Sequence, residues 1–235
     1  MSNPLGYYLL TQTYVWFHYF SSFFAPYDLS ADTDLGVITD ITDPRIAIGV
    51  LFVLSLIVVI FITSRKSELR PISFGLIWFA SALLPTSIVP FAEVMNDHRM
   101  YFAFVGLTLS VVTALALLLM KKQAFFEREK NYKIIGVLVL VIISINAFGV
   151  FKRNQVWDTE ETLWKDVTEK SPNNGRGWMN YGLALMGKAD YKGAITSFKK
   201  AQETNPMYST LYINFGIAYG GIGDTVNAVK HFTQA

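Results

Sequence analysis

Four stretches of the chain lack Asp, Glu, Lys and Arg and are closed by those residues at both ends: 46–64, 71–92, 100–120 and 134–151, of 19, 22, 21 and 18 residues. A helix rises about 1.5 Å per residue and needs roughly 20 apolar residues to cross about 30 Å of hydrocarbon. A buried core helix can be as apolar, but four in series, each closed by charges at that length, predict four transmembrane helices. A fifth charge-free stretch, GYYLLTQTYVWFHYFSSFFAP at 6–26, carries Tyr, Trp and His through its middle, whereas rings with polar tips prefer the headgroup level. It predicts a helix lying in the interface, with Tyr7, Leu10, Tyr14, Phe17 and Phe24 on one face and Thr11, His18 and Ser22 on another. A fifth span is the alternative, and His18 reads as an interfacial side chain rather than a ligand.

After Lys152 the pattern changes to a 34-residue repeat. GRGWMNYGLALMGKADYKGAITSFKKAQETNPMY, from Gly175, is followed at that offset by STLYINFGIAYGGIGDTVNAVKHFTQA. Trp178, Gly182, Ala194, Phe198, Ala201 and Pro206 occupy the signature positions of a tetratricopeptide repeat, as do Tyr212, Gly216, Tyr219, Ala228, Phe232 and Ala235. Helix breaks fall at Lys188-Ala189-Asp190, Asn205-Pro206 and Gly223-Asp224. TEETLWKDVTEKSP, just upstream, reads as a lone capping helix with Thr159 or Asp158 as its N-cap. Arrays of this kind need roughly three units and a polar terminal cap, so the chain reads as cut short after Ala235. The expected fold is all-α: an interfacial helix and acidic outer loop over 1–44, four membrane helices over 45–153, and a helical solenoid over 154–235 made of a capping helix and two repeats, the second incomplete.

The composition agrees: 52% of residues are hydrophobic, and the net charge of +2 matters less than its placement. Arg65, Lys66 and Arg70 follow the first span; Lys121, Lys122, Arg128, Lys130 and Lys133 follow the third. Basic loops stay on the cytoplasmic side, which puts the acidic loops of Asp28, Asp32, Asp34, Asp40, Asp43, Glu93 and Asp97 outside, and the repeats with them, on the periplasmic or lumenal side. Lys152 and Arg153 run mildly against that rule. MSNPLG has no basic residue ahead of its apolar run and does not read as a signal peptide. The chain has no cysteine, no metal-ligand cluster, no glycine loop for a nucleotide phosphate, no nucleophile triad and no acid or base inside a span. Neither a metal nor a nucleic-acid partner is expected, and channel or transporter readings are weak.

The order of features carries a resemblance. A multi-span segment and an acidic outer loop precede E-x-x-N-D-H-R-M-Y at 93–101; R-N-x-V-W-x-x-E-x-x-L-W-x-D-x-x-x-K-S-P-x-N at 153–174 then leads into the repeats. Together with YLLTQTYVWFHYF, LSADTD and NDHRMYFAFVGL, it resembles the C-terminal half of the transmembrane-and-tetratricopeptide-repeat glycosyltransferases, the C-type fold whose animal members are O-mannosyltransferases. The resemblance covers nearly the whole chain. It implies transfer of a sugar from a polyprenyl-phosphate carrier to a protein hydroxyl, with the carrier-linked sugar as donor and no other cofactor. It also implies a catalytic acid in a first outer loop that precedes these spans, so the chain reads as a fragment and no catalytic residue is assigned in it. Asp32-x-Asp34 lies in a later loop and reads as solvated acid.

Within that frame, LLPTSIVPFAE ends the second span, and Pro85 and Pro90 each remove a backbone donor. Irregular backbone at membrane depth survives where protein or a water-filled cavity satisfies it. Arg99 offers a planar fork of donors suited to a carrier phosphate, His98 adds a hydrogen bond, Glu93 or Asp97 orients Arg99, and Tyr101 sits at the interface. An exposed ion-pair cluster of Glu93, Asp97 and Arg99 is the plainer alternative. In the repeats, Asn180 and Asn214 are 34 residues apart, and amides so placed can hold an extended peptide backbone, with Arg176, Met179 and Leu183 beside them. Packing between repeats is the competing role for both. The expected function is part of a membrane glycosyltransferase whose repeats recruit a protein acceptor; a membrane-anchored repeat scaffold without catalysis is the alternative.

Overall fold

The computed structural model describes residues 4–26, 29–91, 93–122, 129–204 and 209–235. Among them the chain is all helix, with no strand: α1 Pro4–Phe24, α2 Pro44–Ser64, α3 Arg70–Ile88, α4 Tyr101–Lys121, α5 Glu129–Val156, α6 Glu160–Lys170, α7 Gly175–Gly187, α8 Tyr191–Thr204, α9 Ser209–Gly221 and α10 Thr225–Phe232. The chain divides into two compact units, one of Met1–Leu29 with Leu35–Asn146, the other of Ser30–Asp34 with Ala147–Ala235. The expected break at Asn205-Pro206 and the acid Asp28 lie outside the described residues.

Four helical segments in the described residues are long and apolar enough to cross a membrane: Pro44–Ser64, Ser67–Ile88, Asp97–Lys121 and Asn131–Val156. They match the four charge-free intervals, because a charge inside an apolar helix would lack water and closes each run. Leu51, Leu54, Ile57, Val58 and Phe61 of α2 and Val105, Val112, Leu115 and Leu118 of α4 stand exposed. A protein surface this apolar faces lipid rather than water, and the chain is an integral membrane protein. α5 is apolar all round and none of its span is covered within the described residues.

In lipid, helices associate through close packing and hydrogen bonds rather than through the hydrophobic effect, which favours small residues at crossings. α3 and α4 follow that rule. A Cβ added at Gly75 would strike the Gly106 carbonyl, and one added at Gly106 would strike the Gly75 carbonyl. Ser110 Oγ donates to Ile72 O at 2.9 Å across the same crossing. Gly49 of α2 likewise lies against the backbone of Thr13 and Tyr14 in α1. Phe79, Leu83 and Leu107 fill the space between these crossings.

α3 departs from expectation at its end. Pro85 lies inside the helix, which runs on to Ile88 and breaks at Val89, ahead of Pro90. A proline costs a helix one hydrogen bond but does not stop it when the flanking turns are held, and Val89 N still donates to Pro85 O at 3.2 Å.

In the second unit, α7 and α9 start 34 residues apart, as do α8 and α10. The turns inside the pairs repeat as well: Ala189 and Gly223, again 34 apart, both take positive φ, at 61° and 81°. Phe198 packs on Gly182 and Phe232 on Gly216 so closely that a Cβ on either glycine would meet the ring. Phe198 also meets Phe215 edge-to-face at 5.6 Å. α6 is capped by Thr159, whose side chain accepts from Thr162 N while Thr162 Oγ1 accepts from Thr159 N. Its Val167 is buried against Gly177 of α7. Arg153, in the last turn of α5, pairs with Asp166 of α6 at 2.6 Å, which compensates the basic pair that runs against the loop-charge rule.

Candidate functional site

Between α3 and α4 the described backbone, residues 89–91 and 93–96, is irregular, and among the described residues its polar groups are met by side chains of α1. Tyr8 OH donates to Thr86 O at 2.8 Å and accepts from Phe91 N at 3.4 Å. Gln12 Nε2 donates to Val94 O at 2.9 Å. Tyr19 OH donates to Asn96 O at 2.8 Å and accepts from Asn96 N at 2.9 Å. Burial pushes the Tyr19 hydroxyl up to about 12, so it keeps its proton and this two-way bond at any physiological pH.

These contacts explain why α1 carries rings with polar tips through its middle. Tyr8, Gln12, Val15 and Tyr19 fall at i, i+4, i+7 and i+11, one face of a helix, and that face is buried. Thr11 and Ser22 lie beside it, also buried, with Thr11 Oγ1 accepting from Ile38 N at 2.9 Å. The polar stripe of α1 thus faces protein, while Leu9 and Phe24 stay exposed. Tyr8 and Tyr19, about 16 Å apart along the helix, both reach the same irregular segment. α1 meets α2 at Gly49 and Phe52, near its start, and α4 at Phe104, likewise near its start.

On this platform the segment 93–101 forms a compact network. Asn96, 2% exposed, caps the short 3-10 turn Asp97–Met100 by accepting from His98 N, and its Nδ2 donates to Glu93 Oε2 at 3.2 Å. Arg99 donates from Nη1 to Glu93 O at 2.9 Å and from Nη2 to Glu93 Oε2 at 3.3 Å, and its guanidinium lies 4.8 Å from the centre of the Phe91 ring. A guanidinium has five N–H groups, so three are not engaged by Glu93. Asp97 lies 3.5 Å from His18 Nε2, an ion pair when the ring is protonated. His98 and Tyr101 are exposed. The structure thus gathers Glu93, Asn96, Asp97 and Arg99 and adds His18, Tyr19 and Phe91, which the sequence reading had not brought to the site.

The acidic loop differs from expectation. Asp32 is not solvated: it is 2% exposed, and its Oδ2 accepts from Arg176 Nε at 2.8 Å. The other groove candidates are placed variously. Asn180 is half-buried, and Asn214 is 7% exposed with its Nδ2 enclosed and without a hydrogen-bond partner among the described residues. Leu183 packs against the core of the repeats, and Met179 is buried within it among Phe198 and Leu211. No group of three or more acids and histidines that could hold a metal occurs among the described residues.

No protein-family profile and no solved structure matches the chain. Three curated proteins do. A Caenorhabditis elegans protein named Protein O-mannosyl-transferase F38B6.6 is 24% identical over 209 residues, 88% of this chain and 29% of that protein. Human Protein O-mannosyl-transferase TMTC3 is 27% identical over 74 residues, 32% of this chain and 8% of its own length. The mouse protein of the same name is 28% identical over 84 residues, 36% of this chain and 9% of its own. The chain therefore spans less than a third of the length of any of the three. Over most of its own length it is similar to a protein O-mannosyl-transferase, which relates it to the glycosyltransferases.

Proposed function

We propose that the chain is the part of an integral-membrane glycosyltransferase that holds a polyprenyl-phosphate sugar and recruits a protein acceptor. In this reaction the acceptor hydroxyl oxygen forms a bond to the anomeric carbon, the bond from that carbon to the phosphate oxygen breaks, and polyprenyl phosphate leaves with the electron pair. A cation fixed beside that phosphate stabilises charge that grows in the transition state. The base that takes the hydroxyl proton is not assigned in this chain.

The arrangement of Arg99 carries the reading. Its guanidinium is oriented by Glu93 and Phe91 at the end of an apolar bundle, with three N–H groups that Glu93 does not engage, and a guanidinium fork matches phosphate oxygens. Asn96 and Tyr19 brace Glu93 and so restrict Arg99 before the ligand arrives. His98, exposed beside it, supplies a further hydrogen bond, and Asp97 with His18 fixes the 3-10 turn from the other side. In this reading the repeats lie on the periplasmic or lumenal side and half-buried Asn180 offers its amide to the acceptor backbone, while buried Asn214, at the equivalent turn, serves packing between the helix pairs.

Binding of sugar-free polyprenyl phosphate to the chain in nanodiscs tests the phosphate site. Arg99→Ala is expected to weaken binding by about 10- to 100-fold, the scale of a charge-assisted bidentate contact of about 1.5–3 kcal/mol. The uncharged polyprenol is expected to bind wild type and variant alike; equal binding of the phosphate to both proteins would remove the assignment.

A further inference from the structure

The loop between α1 and α2 makes a five-residue excursion into the repeat unit. Ser30–Asp34 belongs to the same compact unit as α6–α10, although Leu29 and Leu35 on either side do not. We propose that this segment is a strap built into the repeats, and that Asp32 is a positioning residue that holds Arg176 and the first turn of α7.

Ser171, Asn173, Asn174 and Arg176, at the corner between α6 and α7, each bond to the strap. Ser171, which closes α6, directs its Oγ to Asp32 O at 3.4 Å. Asn173 N donates to Asp34 Oδ2 at 3.2 Å. Asn174 serves two masters: its Oδ1 caps α7 by accepting from Gly177 N at 2.9 Å, and its Nδ2 donates to Thr33 O at 3.1 Å. Arg176 Nε donates to Asp32 Oδ2 at 2.8 Å, and Asp32 Oδ1 accepts from Thr33 N at 2.9 Å. Ser30 Oγ closes the turn on Asp32 O at 2.6 Å.

A carboxylate so enclosed is tolerable only while its cation stays, because an unpaired buried charge is strongly unfavourable. Asp32 therefore fixes Arg176, while the backbone bonds at Asp32 and Thr33 fix the register. The segment is held by a hydroxyl, a backbone N–H, an amide side chain and a guanidinium, the chemistry expected for an extended peptide in a repeat groove, but here the peptide is the protein's own. Arg176 is thereby committed within the chain, and what it contributes to an acceptor is the orientation of the turn that precedes Asn180.

Asn174→Asp separates the two tasks of Asn174, since aspartate caps a helix as well as asparagine does but donates nothing to Thr33 O. The intact chain in nanodiscs is digested with an endoproteinase that cuts before aspartate. Asn174→Asp is expected to speed cleavage before Asp32 at least 10-fold, while cleavage before Asp190 and Asp224 in the repeats stays at the wild-type rate. Unchanged cleavage before Asp32, or acceleration at all three aspartates together, would overturn the strap. The positioning role rests on the glycosyltransferase reading above: in membranes that contain the polypeptide as cells produce it, the same substitution is expected to raise the acceptor KM about 10-fold and to leave donor KM and kcat unchanged. An unchanged acceptor KM removes that role, whereas the expected digestion pattern in a chain that does not bind polyprenyl phosphate keeps the strap and removes the transferase reading instead.

Discussion

Gly106→Val is expected to separate α3 from α4. Neither glycine at this crossing has slack: the added atom at Gly106 meets the Gly75 carbonyl, the Trp78 Cβ and the Phe79 nitrogen, and two of these are backbone. Side chains relax by changing rotamer, but helix backbone moves only as a whole, so the helices must part by more than the width of a methyl group. Parting them also breaks the Ser110–Ile72 bond and opens the packing around Phe79 and Leu107. Overpacking of this kind costs about 1–3 kcal/mol where side chains give way, and more where they do not. The chain has no cysteine of its own, so a reporter pair is clean. Trp78 and Phe102, whose rings are 5.2 Å apart across the same interface, both changed to Cys are expected to cross-link with a short bismaleimide in the wild-type background and at less than a tenth of that yield with Gly106→Val. Gly106→Ala is expected to fall between. Equal yields in all three would mean that the glycines do not set the crossing.

Phe198→Ala is expected to cost about 3–5 kcal/mol in the repeat unit, the range for emptying a fully buried aromatic site. Phe198 is fully buried, packs on the bare face of Gly182 and meets Phe215 edge-to-face. The glycine leaves no side chain to move into the void, and α7 and α8 are held by other contacts, so the cavity stays open. Its equivalent in the next pair, Phe232, packs on Gly216 in the same way but is 49% exposed, and Phe232→Ala is expected to cost less than half as much. Hydrogen exchange reads the difference. At 1.4 kcal/mol per factor of ten, the slowest amides of α7–α9 are expected to exchange about 100-fold faster or more in Phe198→Ala. Similar rates in the two variants would contradict the packing account.

The fold was legible in the sequence where its determinants are local. Charge closes an apolar run at its own ends, so the four spans could be read directly, and a repeat announces itself by self-similarity, so the helix starts 34 residues apart could be read too. α1 was harder, because its inward face is polar. An amphipathic helix is read by its apolar stripe, and Tyr8, Gln12 and Tyr19 acquire their meaning only from the end of α3 and the irregular backbone that follows it, which no helical period reveals. A polar stripe at i, i+4 and i+11 in an otherwise apolar helix was the available signal.

The site shows the same division. Glu93 and Arg99 lie six residues apart and were grouped by proximity in the chain. His18 and Asp97 are brought together by the packing of α1 against the segment that follows α3, and Asp32 meets Arg176 across 144 residues. An acidic residue in a loop rich in acids reads as solvated until a cation from elsewhere is placed on it. The proline rule misled at Pro85 because it describes a cost of roughly one hydrogen bond, and α3 continues through that cost to Ile88.

The central claim is that Arg99 holds the phosphate from which a sugar leaves. Transfer of radiolabelled mannose from polyprenyl phosphate to protein, in membranes that contain the polypeptide as cells produce it, tests that claim most directly. With Arg99→Ala, the label reaching protein is expected to fall at least 100-fold at subsaturating donor, with the acceptor KM unchanged. A variant that transfers label at the wild-type rate with the wild-type donor KM would contradict the account.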